Sequence, residues 1–196
     1  MMKKRAASIF LSLCLLFSLT PATYAVSTEK FTNGNLIYCI TDNTNNYVTV
    51  QAVASVPDSG AITIPDKVTN DSTEYTVVGL EGNSIGGNFA NQITSVSMPE
   101  NSEHFTFIAD AAFQGCTGIT TLTIPASVIK IGTISSDDYI GGFGAFDGMT
   151  ALTSVSFAED SKLESLGSNT FSGCSALTTL ELPSCLTQVG SAIVEG

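Results

Sequence analysis

Residues 113–132 read FQGCTGITTLTIPASVIKIG, residues 146–167 FDGMTALTSVSFAEDSKLESLG, and residues 171–190 FSGCSALTTLELPSCLTQVG. Each stretch opens on an aromatic residue, sets Gly two positions later, and then places Cys or Met. An L-x-x-L-x-L segment follows, with triplets Ile119/Leu122/Ile124, Leu152/Val155/Phe157 and Leu177/Leu180/Leu182. Each closes on V/L-x-x-I/L/V-G: Val128/Ile131/Gly132, Leu163/Leu166/Gly167 and Leu186/Val189/Gly190. Working back along the chain, Ile93/Val96/Met98 is an earlier copy, and Ile62/Ile64 before Pro65 is a degenerate first one. Pro ends the segment at 65, 99, 125 and 183, with Ala158 in its place in the fourth copy. The segment ends at 99, 125, 158 and 183 are 26, 33 and 25 residues apart.

A repeat of this length reads as a solenoid. Apolar residues alternating with Thr and Ser make a half-buried strand of period two. Pro then stops the ladder, because it has no N–H to give. The V-x-x-I-G segment and the following A-F dipeptide carry the chain back. One coil cannot bury its inner face alone, so neighbouring coils share a continuous core.

The N-terminus carries a different signal. Met1 to Arg5 is basic, Ala6 to Leu19 is apolar, and Pro21 is followed by Ala22-Thr23-Tyr24-Ala25 with small residues before a cut after Ala25. That is a secretory signal peptide over residues 1–25, too short for the roughly 20 apolar residues that span a bilayer. The chain of 196 residues has seven Lys/Arg against 18 Asp/Glu, a net charge of −11. Processing removes Lys3, Lys4 and Arg5 and leaves 4 − 18 = −14. So acidic a chain lacks the clustered cations that phosphate contacts require, which excludes nucleic acid and argues against anionic membrane surfaces. No membrane insertion is expected after cleavage.

The motif L-x-x-L-x-I-P-x-x-V-x-x-I-G-x-x-A-F-x-G-C, as it stands from Ile119 to Gly148 and again from Leu152 to Cys174, resembles the BspA-like leucine-rich repeat. The likeness covers about residues 60–196. The stretch before it, FTNGNLIYCITDNTNNYVTVQAV, is similar to the β-cap that precedes such repeats. Here Phe31, Leu36, Tyr38 and Ile40 alternate, an Asn-rich turn follows, and Tyr47, Val48 and Val50 return as a hairpin. The resemblance implies a β-rich, right-handed leucine-rich repeat solenoid of the α/β-horseshoe type with little helix, behind an N-terminal β-hairpin cap. The expected division is a signal peptide over 1–25, a cap over 26–60, and about five coils over 61–196, the last incomplete. The resemblance also implies a secreted or surface protein of bacteria, some relatives being adhesins to host proteins. Departures from the pattern are Ala109 for Gly, Met149 for Cys, and the missing Pro in the copy at 146–171.

Register bears on the cysteines. Cys116 and Cys174 share one repeat position, with Met149 in the coil between them. Strands about 4.8 Å apart put these sulfurs roughly 10 Å from each other. A disulfide needs Cα atoms within about 7 Å, so both are expected as free, buried thiols. Cys174 and Cys185 flank one expected strand, and Cys39 lies in the cap, so no intrachain disulfide is expected.

Catalytic signals are weak. The pair Asp137-Asp138 sits in a ten-residue excess, TISSDDYIGG, and lacks the D-x-D-x-D spacing of a calcium loop. Glu159-Asp160 is a second inserted turn, and His104, the one histidine, lies in an insertion with no third group to orient it. No enzyme, metal site or cofactor is expected.

The solvent side of the strands is the informative surface. It reads Thr94, Ser95, Ser97; Thr120, Thr121, Thr123; Thr153, Ser154, Ser156; and Thr178, Thr179, Glu181. Eleven of these twelve carry a hydroxyl, which suits an exposed strand and also makes a neutral surface of donors and acceptors. The expected partner is a host or neighbouring-cell protein or glycan bound by an exported module. The alternative is a structural, self-associating part of the cell envelope. For that, Leu177, Leu180 and Leu182 are expected on an edge strand able to meet a second copy as a homodimer, unless the chain continues past Gly196.

Overall fold

The computed structural model describes residues 29–134 and 142–194. The expected signal peptide over residues 1–25 and the pair Asp137-Asp138 lie outside these residues. The N-terminal region is an antiparallel meander of β1 (Lys30–Asn33), β2 (Leu36–Asp42) and β3 (Tyr47–Val53). The Asn-rich turn sits between β2 and β3, where Asp42 Oδ1 accepts the N–H groups of Thr44 and Asn45. Phe31 was expected on one strand with Leu36, Tyr38 and Ile40. Instead the chain reverses at Asn33-Gly34, Gly34 taking φ +58°, so Phe31 lies on β1. An Asn-Gly pair is a strong hairpin signal. Phe31 then packs against the ring of Tyr38, centroids 5.4 Å apart.

Ten further strands follow: β4 (Ala61–Thr63), β5 (Lys67–Asn70), β6 (Thr73–Leu80), β7 (Ser95–Ser97) and β8 (Phe107–Ile108), then β9 (Thr121–Ile124), β10 (Lys130–Ile131), β11 (Ser154–Phe157), β12 (Ser165–Leu166) and β13 (Gln188–Val189). The hairpin of β5 and β6 turns on Asp71 and Ser72, both at positive φ, as a type I′ turn requires. Helix is confined, among the described residues, to a 3-10 turn at Ala90–Gln92.

The coils stack through parallel ladders. On the front, β4 pairs with β7 and β9 with β11. On the back, β3, β6, β8, β10, β12 and β13 pair in that order, so the sheet begun by the N-terminal hairpin runs on beneath the coils. A strand-rich leucine-rich repeat fold with almost no helix is what the sequence pattern called for. The turns that enter Phe113, Phe146 and Phe171 (Ala-Phe twice, then Thr170-Phe171) make a third line of contact. The N–H of Phe113 donates to the Ala145 carbonyl at 2.8 Å, that of Phe146 to Thr170 at 3.0 Å, and that of Phe171 to Ile193 at 2.9 Å. Gly115, Gly148 and Gly173 close these turns at φ +70°, +69° and +68°, a conformation that favours a residue without Cβ.

The core follows the repeat positions. Phe113, Phe146 and Phe171 are fully buried and stack in a column, with centroids 5.3 and 5.2 Å apart. Beside them run Cys116, Met149 and Cys174, and then the strand residues Ile119, Leu122, Ile124, Leu152 and Val155. Each such side chain contributes about 1.5–3 kcal/mol by leaving water.

One expectation fails. Leu177, Leu180 and Leu182 were placed on an edge strand, yet residues 177–183 form no ladder with β11. Leu177 and Leu180 are half-buried, while Leu182 remains 40% exposed. The step from Phe157 to Leu163 is six positions, where Ile124 to Val128 and Leu182 to Leu186 are four. The longer turn at 158–162 bonds back to the preceding coil, Ala158 N–H to the Ile124 carbonyl and Lys162 N–H to that of Ala126. The last strand of the ladder is β13, on the back.

Candidate functional site

The front face is built by alternation. In β9 Leu122 and Ile124 point inward while Thr121 and Thr123 are exposed, and β11 repeats this with Val155 inward and Ser154 and Ser156 outward. All twelve positions read from the sequence are exposed: Thr94, Ser95, Ser97, Thr120, Thr121, Thr123, Thr153, Ser154, Ser156, Thr178, Thr179 and Glu181. The structure does not gather them into one patch. Ser95 and Ser97 sit opposite Ala61 and Thr63 in one ladder. Thr121 and Thr123 sit opposite Ser154 and Ser156 in another, with the Thr123 and Ser156 hydroxyls 3.1 Å apart. Thr178, Thr179 and Glu181 stand apart from β11.

Several hydroxyls join the coils. Thr153 Oγ1 donates to the Thr120 carbonyl at 3.0 Å, Ser156 Oγ to Leu122 at 3.3 Å, and Thr94 Oγ1 to Ser59 at 3.0 Å. A hydroxyl that donates inward keeps its acceptor lone pairs for solvent or a partner. The face is therefore both a seam between coils and a surface of acceptors.

Between β11 and residues 179–185 lies a cleft of about 460 Å³. Ser154, Ser156, Glu159, Ser161, Thr179 and Glu181 give it polar walls, and Phe157 and Leu182 an apolar part. No Lys or Arg lines it. Sequence reasoning reached Ser154, Ser156, Thr179 and Glu181 but missed Phe157, Glu159 and Leu182. The two extra residues of the turn at 158–162 were the signal available.

Elsewhere, the ring of His104 lies on Tyr47 with centroids 5.6 Å apart, at a depression shared with Asp42 and Phe107. The insertion thus folds against the N-terminal hairpin. Among the described residues, no group of three His, Cys, Asp or Glu is placed to hold a metal ion.

None of the four described cysteines is in a disulfide, and Cys39, Cys116 and Cys174 are buried. Burial pushes the Cys116 thiol up to about 12 and that of Cys174 to about 11, so neither supplies a thiolate near neutral pH. Burial likewise raises the Tyr38 phenol to about 12. An unfolded chain sheds these protons near pH 8.5 to 10, whereas the folded chain keeps them. Their contribution to stability is full below about pH 8 and falls as pH rises through the folded values. Urea midpoints should therefore drop from pH 7 to pH 10, and equal midpoints would show that the thiols are not sequestered.

Residues 133–195 match a family model described as BspA type leucine rich repeat region (6 copies). No curated protein matches the chain. Two crystal structures are similar to it. A leucine-rich repeat protein from Bacteroides ovatus is 24% identical with a TM-score of 0.67, over 84% of this chain and 38% of that one. Pneumococcal vaccine antigen PcpA is 20% identical with a TM-score of 0.54, over 86% of this chain and 48% of that one. The chain thus spans less than half the length of either, and the likeness is one of fold. Residues 133–195 are thus similar to the BspA type leucine rich repeat region, and over most of the chain the likeness is one of fold.

Proposed function

We propose that the chain is an exported, non-enzymatic interaction module that binds a protein or glycan through the front face. The observation that carries this reading is the exposure of all twelve face positions, eleven of them hydroxyl-bearing, with Ser95, Ser97, Thr121, Thr123, Ser154 and Ser156 on paired strands. Stacked-repeat proteins use such extended surfaces to bind partners. Export and a place at the cell surface rest on the signal sequence at 1–25, which lies outside the described residues, and on the family. Among the described residues no helix is long and apolar enough to cross a membrane.

The test is a double substitution, Thr121→Arg with Ser154→Arg, in the naturally processed chain. These residues face each other across the β9–β11 ladder. Two guanidinium groups there would put charge and bulk onto a neutral surface. Affinity for a protein or glycan first identified by pull-down or glycan array should fall at least about tenfold, with the circular dichroism spectrum unchanged. Unchanged affinity would mean that binding uses another surface.

A further inference from the structure

Segment 178–184 is fastened at both ends and unpaired with β11 between them. Before it, the ring of Phe171 stacks on Phe146 and the Cys174 thiol donates to the Phe146 carbonyl at 3.2 Å. After it, the Cys185 thiol donates to the Leu163 carbonyl at 3.2 Å, and β13 pairs with β12. Between these anchors β11 has a ladder partner on one side, β9, and faces the cleft on the other. The longer turn carrying Glu159 forms the lip. The opening is therefore framed by anchored elements on both sides.

A strand edge with open N–H and C=O groups is a template for another strand. Extended peptides use such edges, taking affinity from main-chain hydrogen bonds and specificity from alternate side chains. Here those alternate positions meet two different surfaces. Phe157 is half-buried and Leu182 is 40% exposed, so one side of an added strand would rest on apolar groups. Glu159 and Glu181 are both exposed carboxylates at the cleft, with no cation lining it. Side chains of an extended peptide point to opposite faces with period two.

We propose that the cleft binds an extended peptide segment of alternating apolar and basic residues, added as a strand to β11. The proposal rests on the reading of the front face as the contact surface and names the partner's chemistry there. An acidic segment would set like charges against Glu159 and Glu181. The competing occupant is the chain's own segment 178–182, closing onto β11.

The probe is fluorescence-labelled acetyl-Lys-Val-Lys-Val-Lys-amide, titrated by polarisation against the naturally processed chain. Two twins accompany it, one N-methylated at alternate amides and one with Glu in place of Lys. The lysine peptide should bind saturably, and N-methylation should weaken it at least about tenfold by removing main-chain donors. Glu159→Lys with Glu181→Lys should cost about fivefold or more, with binding that weakens as salt is raised. Glu100→Lys with Glu164→Lys, an equal charge change at exposed positions outside the cleft, should leave binding as it was. Absence of saturable binding by the lysine peptide would overturn the proposal and favour closure by the chain's own segment. Indifference to N-methylation, or equal binding of the glutamate peptide, would overturn it too. If the peptide fails while Thr121→Arg with Ser154→Arg still weakens the partner, the cleft alone is wrong. If the peptide binds and that double substitution changes nothing, the broader face reading is the one that fails.

Discussion

Replacing Phe146 with Ala should lower the free energy of unfolding by about 3–5 kcal/mol, the usual range for emptying a buried aromatic site. Phe146 is the middle ring of the column, 5.3 Å from Phe113 and 5.2 Å from Phe171, and has no exposed surface. Its loss opens a cavity between two coils, and its neighbours cannot collapse into it because their turns are tied by main-chain hydrogen bonds. Stability in stacked repeats is a sum of nearest-neighbour terms, so the damage should also uncouple the coils before Phe146 from those after it. Urea denaturation followed by circular dichroism should show a lower midpoint and a shallower or split transition. Phe171→Ala, which among the described residues removes one ring contact rather than two, should cost less. A loss below about 1.5 kcal/mol for Phe146→Ala would contradict this account of how coils hold together.

Gly144→Ala should cost about 2–4 kcal/mol, far more than an added methyl group costs on a surface. A Cβ at this position would collide with the Asn169 carbonyl oxygen, and its next neighbours are the Asn169 carbonyl carbon and the Thr170 Cα. All three are backbone atoms, so no rotamer change relieves the clash. The backbone there is committed as well, since the Thr170 carbonyl accepts the Phe146 N–H and the Asn169 N–H donates to Ser191. Gly142→Ala is the control, because a Cβ there meets no atom of the described residues within 4 Å. It should change stability by no more than about 0.5 kcal/mol. Thermal melts of the two variants side by side decide the matter, and equal melting temperatures would show that the coils can shift apart at little cost.

Much of this architecture was legible in the residues because each repeat position has one physical task. Phe113, Phe146 and Phe171 recur because a column needs a ring from every coil, and Gly115, Gly148 and Gly173 because the turn beneath each ring takes a positive φ. What escaped was decided by pairing between segments. Leu177-x-x-Leu180-x-Leu182-Pro183 is locally as good a strand as Ile119-x-x-Leu122-x-Ile124-Pro125, yet only the second pairs. A ladder needs its neighbour at the right height, and residues 179–185 lie across a cleft from β11. The hairpin at Asp71-Ser72 and the reversal at Gly34 were local signals overlooked rather than absent. Of the front face, exposure was readable from period two, but its division into separate blocks was not.

The back sheet has a kinetic consequence. Its first strands, β1 to β3, pair through short turns, so closing them costs little chain entropy. Each later back strand is laid against one that precedes it in sequence. A chain that becomes available from its N-terminus therefore always finds its template already in place, and no segment has to wait for a distant one. The sheet is its own scaffold for growth, added one coil at a time in the order in which the residues arrive.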